Sequence, residues 1–342
     1  PPPPPPPPPH FQAEDGIRDP PDSLVGSEMC IRDSLTPMAT STLDLEYLAG
    51  QRLMVGFEGI NLNRDLMFLI DTLKVGGIIL FAYNLSAPAE IKDLCASMQQ
   101  YAALCGLPPL FIAIDQEGGQ VARLKEPFTQ FPGNPAMSGP QDADHFARVT
   151  ARELNDLGLN MNMAPVLDVA PEDTDSIMAG RSFGTTPEWV ATMGLRVIKG
   201  LQQAGIMAVA KHFPGIGRTT VDSHLDLPIL DIGLEQMAAT DLYPFASAIA
   251  EQVTGVMLSH VRYPQIDPDW PASLSTIIAR DLLRKQMGYQ GLVMTDDLDM
   301  GAIRQHFDMR TAVQRLLQAD VDLALVCHKG PDIETAYETI LQ

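Results

Sequence analysis

The sequence predicts an α/β fold of one domain, a closed (β/α)8 barrel of TIM type. Three observations carry that expectation. Eight short, nearly continuous apolar runs recur along the chain. Segments of helical period separate them. Ionisable residues gather at the C-terminal ends of the runs, where the strands of such a barrel converge on one mouth.

The runs are RLMVGF (52–57), GGIILF (76–81), LFIAID (110–115), LNMNMAPVLDV (159–169), IMAVAKH (206–212), GVMLSHV (255–261), GLVMTDD (291–297) and LALVCH (323–328). Apolar character without alternation suits parallel strands covered on both faces. Between them, 87–106 carries Ile91, Leu94, Cys95, Met98 and Ala102 at helical spacing. A second helix is expected over 186–205, with Gly205 as its stop. Residues 273–288 open on a serine cap and end at Gly288, and Pro244 should break 231–252 into two pieces. An open doubly wound sheet is the competing arrangement, but no GxGxxG fingerprint follows the first strand. The chain stops at Gln342, where a last helix would still be under way, so the closing helix is expected to be cut short.

Residues 1–37 are set apart. A tract of prolines is followed by QAEDGIRD and SEMCIRDS, which resemble translated sequencing adapter and show no apolar period. The natural start is expected at Met38, and the barrel domain over 38–342. The segment has no basic start followed by an apolar stretch, so no signal peptide is read there.

With 342 residues, 45% of them hydrophobic, the chain can bury a large core. A net charge of -20 disfavours nucleic acid and anionic membrane surfaces, which would repel it. The four cysteines form no CxxC pair and no dense framework, which points to a reducing, cytoplasmic setting.

Strand ends supply Asp115, Asp168, Lys211 with His212, His260, and Asp296 with Asp297. In IDQEGGQVARL, Asp115 leaves a strand, two glycines permit a tight turn, and Arg123 returns eight residues later. A carboxylate can accept from neighbouring sugar hydroxyls while a guanidinium donates a fork. In AGRSFG, Arg181 sits in a loop. In KHFPGIGRTTVDSH, Asp222 and His224 are two apart, so an extended backbone places them on one side. The carboxylate would raise the proton affinity of the imidazole and suit it to general acid work near neutral pH. In MTDDLDMGAI, three aspartates follow a strand: a hard cation could use them, but the EF-hand spacing is absent and no tight histidine cluster argues for zinc. Strand alternation leaves Asp296 and Asp297 both open as a nucleophile.

Taken in order, IDQEGGQVARL, GRSFG, KHFPGIGRTTVDSH and MTDDLDM resemble glycoside hydrolase family 3, in particular its single-domain β-N-acetylhexosaminidases, from about residue 45 onward. The resemblance implies a bacterial enzyme that removes terminal β-linked N-acetylglucosamine with retention, from peptidoglycan-derived, muropeptide-like fragments, without cofactor or metal. It implies Asp296 as nucleophile, His224 as acid/base and Asp222 as its partner. Asp115, Arg123, Arg181, Lys211 and His212 would hold the sugar. Retaining enzymes usually place two carboxyl groups roughly 5–5.5 Å apart; here an imidazole would replace one. A phosphorylase or β-glucosidase of the same family, and a barrel that binds amino sugars without turning them over, are the alternatives. The family pattern reads KHFPGHG, and Ile216 replaces its second histidine, so altered binding or loop packing is expected with the dyad intact.

Overall fold

The computed structural model describes residues 45–223 and 226–342. Residues 1–37 and His224 therefore lie outside the described residues. The described chain forms strands β1 (Leu53–Val55), β2 (Gly77–Leu80), β3 (Phe111–Ile114), β4 (Gln116–Gly118), β5 (Val121–Ala122), β6 (Met161–Asn162), β7 (Met207–Phe213), β8 (Gly255–Leu258), β9 (Leu292–Asp297) and β10 (Leu323–Val326). Strands β4 and β5 make an antiparallel hairpin. The other eight close a barrel in the order β1-β10-β9-β8-β7-β6-β3-β2. Each apolar run of the sequence supplies one barrel strand, β7 ending one residue past its run at Phe213. The longest run, 159–169, yields only Met161–Asn162. Pro165 has no N–H to give to a ladder, and beyond it Val166 pairs with Lys211 only as an isolated bridge.

Burial on both faces explains why the runs lack alternation. Inside the barrel pack Met54, Ile79, Ala113, Met161, Met163, Val209, Met257, Met294 and Leu325. Outside, Leu53, Val55, Ile78, Ile112, Ala208 and Val256 meet the helices. Five of the interior residues are methionine, whose unbranched thioether fills irregular space.

Helix Pro88–Leu104 buries the five residues that its spacing singled out. Helix Pro187–Gln203 begins on a proline, whose missing N–H is no loss in a first turn. The expected break within 231–252 falls at Thr240–Asp241, between helices Leu234–Ala239 and Leu242–Ala250. Pro244 lies in the first turn of the second helix, where it is tolerated. Asp241 holds the break, accepting from Arg218 Nε (3.0 Å) and Thr240 Oγ (2.6 Å). The segment expected over 273–288 winds as a wide π-helix, Thr276–Gln286. Its cap is Ser275, which accepts from the Ile278 N–H and donates to Asp267. Ser273 instead meets His260 (2.8 Å). The last helix spans Pro331–Leu341 and buries Ile333, Ala336 and Tyr337. Among the described residues no helix is long and apolar enough to cross a membrane.

Two irregularities in the barrel shape its mouth. Between β7 and β8 the register runs Ala210↔Val256 and then Phe213↔Leu258, three residues against two. Between β9 and β10 it runs Leu323↔Met294 and then Leu325↔Asp297, again two against three. An extra residue on one strand bends it and re-aims its side chains. Both extra residues fall at C-terminal strand ends.

Candidate active site

A cavity of about 430 Å³ opens at the C-terminal mouth of the barrel. Its wall includes Asp115, Arg123, Arg181, Lys211, His212, Asp222 and Asp296. Seven of the eight residues selected from the sequence thus meet in one place, and the eighth, His224, lies outside the described residues. The bulges explain part of this convergence. Regular alternation would send Lys211 and His212, or Asp296 and Asp297, to opposite faces, yet both members of each pair line the cavity. A larger hollow of about 720 Å³ lies at the opposite end, around Phe111, Met207 and Leu292. Its only carboxylate is Asp322, and we place the chemistry at the mouth.

The wall is built from β3 onward. The chain leaves Asp115 into the β4–β5 hairpin, which turns on Gly118 and Gly119 at φ 88° and 62°. Glycine meets that left-handed region without strain. The Gln116 side-chain oxygen accepts from the Arg123 and Leu124 N–H groups and closes the hairpin. Arg123 thereby returns to within 3.3 Å of Asp115.

Lys211 is 2% exposed and reaches Asp115 (2.8 Å) and Glu117 (2.7 Å). Burial alone would strip its proton, but those two carboxylates outweigh it and raise its pKa. Burial would likewise raise the Asp115 carboxyl; Lys211 and Arg123 prevail and hold it at about 2. Glu117 is also pulled below its ordinary value against its burial, by Lys211 and Arg181. Arg181 grips Glu117 with two nitrogens, Nε at 3.0 Å and Nη2 at 2.7 Å. Such a fork fixes direction as well as distance.

His212 is oriented from behind. Its Nδ1 lies 2.7 Å from the fully buried Asp168. Asp168 also accepts from the backbone N–H of His212 (3.3 Å) and of Ile216 (2.8 Å). This carboxylate, surrounded by donors, fixes the ring through Nδ1, and Nε2 faces Arg181 Nη2 at 3.4 Å. Ile216 thus contributes its backbone amide to Asp168 while its side chain lines the cavity.

At the end of β9, Asp296 accepts from the Asp297 N–H (2.8 Å). Its burial favours the neutral acid, but the fields of His212 and His260, that N–H and Lys211 together keep its pKa below the usual carboxylate value. Asp297 goes the other way, raised to about 6, by burial first and by its neighbours Asp299 and Asp296. Its Oδ1 accepts from the Asp299 and Cys327 N–H groups. Asp222 faces the same cavity, and the adjoining Ser223 carbonyl accepts from Ala302. On the other side of residues 224–225, Asp226 meets His306 at 2.8 Å.

The strand-end expectation held for Asp115, Lys211, His212, Asp296 and Asp297. Asp168 stands one layer behind the wall. His260 is buried between Ser273 and the Asp297 carbonyl (2.8 Å each) and does not line the cavity. Glu117 was not singled out from the sequence, although it lies two residues past Asp115 and shares its side. Asp297, Asp299 and His328 bring three potential ligand atoms within 4.8 Å of one another. Asp297 and Asp299 there already accept backbone N–H groups, including that of His328.

Chemically, the wall offers paired acceptors and donors for vicinal hydroxyls, an oriented imidazole, and, at the end of β9, a carboxylate whose pKa is held low. The description "Glycosyl hydrolase family 3 N terminal domain" matches residues 44–341. A β-hexosaminidase of Nitrosomonas eutropha is 36% identical over 299 residues, covering 85% of this chain and 84% of the relative. A β-hexosaminidase A of Pseudoalteromonas piscicida is 39% identical, and there this chain spans 47% of the relative's length. Among solved structures, a family 3 β-N-acetylglucosaminidase from Paenibacillus sp. str. FPU-7 superposes with a TM-score of 0.85 at 40% identity, over 87% of this chain and 58% of that one. NagZ from Neisseria gonorrhoeae, solved with N-trifluoroacetyl-D-glucosamine, gives 0.73 at 31%, over 84% and 89%. The four sequence motifs, the closed barrel and these likenesses agree: the chain belongs to glycosyl hydrolase family 3.

Proposed function

We propose that the mouth cavity is the active site of a retaining β-N-acetylglucosaminidase. The observation that carries this reading is the placement of Asp296. Its pKa is held below the usual carboxylate value, and it lines one cavity of about 430 Å³ together with the Asp115–Arg123–Lys211 cluster and Asp222.

Asp115 accepts a hydrogen bond from one sugar hydroxyl, and Arg123 and Lys211 donate to its neighbour. Arg181, fixed by Glu117, and His212, fixed by Asp168, complete the grip. The anomeric carbon then rests over Asp296. Asp296 attacks it and the bond to the leaving oxygen breaks. His224, its proton affinity raised by Asp222, delivers a proton to that oxygen. The same imidazole next removes a proton from water, which attacks the anomeric carbon and frees Asp296. Two inversions give net retention. The low pKa of Asp296 suits this role, because a nucleophile must be ionised at neutral pH.

The test is covalent trapping with a 5-fluoro N-acetylglucosaminyl fluoride and peptide mass spectrometry. Label is expected on Asp296, and Asp296→Asn is expected to abolish turnover while retaining the folded circular dichroism spectrum. Label on another residue, or a variant at full rate, would refute the assignment.

A further inference from the structure

Beside the catalytic cavity lies a second hollow of about 410 Å³, nearly the same capacity, lined by Glu58, Gly59, Tyr83, His328 and Lys329. The two share His328. His328 stands next to the attacking centre: its Nδ1 is 3.4 Å from Asp297, the residue after Asp296. A leaving group attached at the anomeric carbon over Asp296 therefore has this hollow as its neighbour.

The hollow has an aromatic wall. Tyr83 is 51% exposed, unusual for so large a ring. Its plane is set by stacking on Phe81, with centroids 5.6 Å apart and planes 15° apart. Phe81 stacks in turn toward His328 (6.5 Å, 26°) and carries the Arg123 guanidinium 5.6 Å above its ring. The group that fixes Tyr83 thus also backs the arginine that holds the first sugar. An exposed ring held in a defined plane is suited to the apolar face of a pyranose.

Charge narrows the class of sugar. Lys329 pairs with Asp65 (2.6 Å) and lies 3.9 Å from Glu58. His328 faces Asp297 and, at 3.6 Å, Asp299. Each basic side chain of the hollow already has two carboxylates. The Tyr83 hydroxyl registers the same surplus: its pKa is raised first by burial and then by Cys327, Glu58 and Asp297, against Arg123. A leaving group with its own carboxylate would find no uncommitted cation there.

We propose that this hollow is the leaving-group subsite, that Tyr83 is its specificity-determining residue, and that it takes a neutral sugar in preference to a carboxylated one. The proposal rests on the glycosidase reading. It favours N-acetylglucosamine as the leaving residue over the lactyl-bearing sugar of the peptidoglycan fragments that the family resemblance implied.

The test compares kcat/KM for N,N′-diacetylchitobiose with that for methyl N-acetyl-β-glucosaminide, whose one-carbon leaving group cannot reach Tyr83. Tyr83→Ala should lower the disaccharide value about five- to tenfold, mainly through KM, and the methyl glycoside value by less than about twofold. Tyr83→Phe should restore the disaccharide value. Equal losses on both substrates, or no loss on the disaccharide, would overturn the subsite. A wild-type kcat/KM for N-acetylglucosaminyl-anhydromuramic acid above that for the chitobiose would overturn the neutral preference. Failure of the underlying reading looks different: the wild-type enzyme would then release no N-acetylglucosamine from any of the three, and the subsite would fall with it.

Discussion

Glu117 offers the sharpest test of how the cavity is held. It is 2% exposed, and its two oxygens serve two cations, Lys211 on one side and the Arg181 fork on the other. Glu117→Gln keeps the shape and one acceptor, but turns an amide N–H₂ toward a cation. Removing one partner from a buried ion pair costs about 3–5 kcal/mol, because the remaining charge stays desolvated. The low end applies, since Lys211 retains Asp115 at 2.8 Å. With an unfolding entropy of about 2.1 cal/mol/K per residue over roughly 300 residues, a loss of about 3 kcal/mol lowers Tm by about 5 °C. Calorimetry reads that shift. Kinetics give a second readout. Asp115 and Glu117 together raise the pKa of Lys211 against its burial. Without Glu117, Lys211 keeps one carboxylate partner and the Arg181 fork loses its anchor, so both donors lose their fixed direction and KM should rise about tenfold. A variant with unchanged Tm and unchanged KM would show that Glu117 does not hold Lys211 and Arg181, and the account of the wall would fail.

The same geometry sets two further outcomes. Asp297 has its folded pKa raised to about 6 from an ordinary 3.8, so its contribution to stability is greatest below pH 4 and is lost as pH rises through 6. Urea unfolding should show about 1 kcal/mol lost between pH 5 and 8 from this group. Asp297→Asn, which can still accept from Asp299 and Cys327, should remove that slope and be the more stable protein at pH 8; a slope that survives in the variant would count against it. For the acid role, His224→Ala should lower kcat/KM for the disaccharide about 10²- to 10³-fold and that for a dinitrophenyl glycoside, whose leaving group needs no proton, by less than about tenfold; equal losses would remove His224 from that role.

The barrel was legible because its strands are covered on both faces. Continuous apolar runs such as GGIILF and LALVCH arise directly from Ile79 and Leu325 packing inward while Ile78 and Val326 pack outward. The candidate site was legible because polar side chains end those runs. What escaped the sequence is what local pattern does not encode. Alternation could not choose between Asp296 and Asp297 because the strand bulges there and brings both to the mouth. Glu117 escaped because Gln116–Gly118 is a polar hairpin strand with no apolar period, although its two-residue offset from Asp115 carried a signal. His260 misled for the opposite reason. It ends an apolar run as the others do, but its two nitrogens are occupied by Ser273 and the Asp297 carbonyl, and burial depresses its pKa.

The substitution at Ile216 shows which layer of the wall tolerates change. The loop bends so that the Ile216 backbone amide, together with that of His212, donates to Asp168. Asp168 then fixes Nδ1 of His212, and that leaves Nε2 facing Arg181. No step in this chain of contacts uses the side chain at 216, and any residue except proline could supply the same N–H. A histidine there would add a polar atom to the cavity, whereas isoleucine adds an apolar one to a wall that Ile177 and Met300 also line. The orientation of His212 therefore survives the exchange. Its effect should fall on the affinity for whatever part of the sugar lies against residue 216, and it should be read in KM rather than in the protonation of the site.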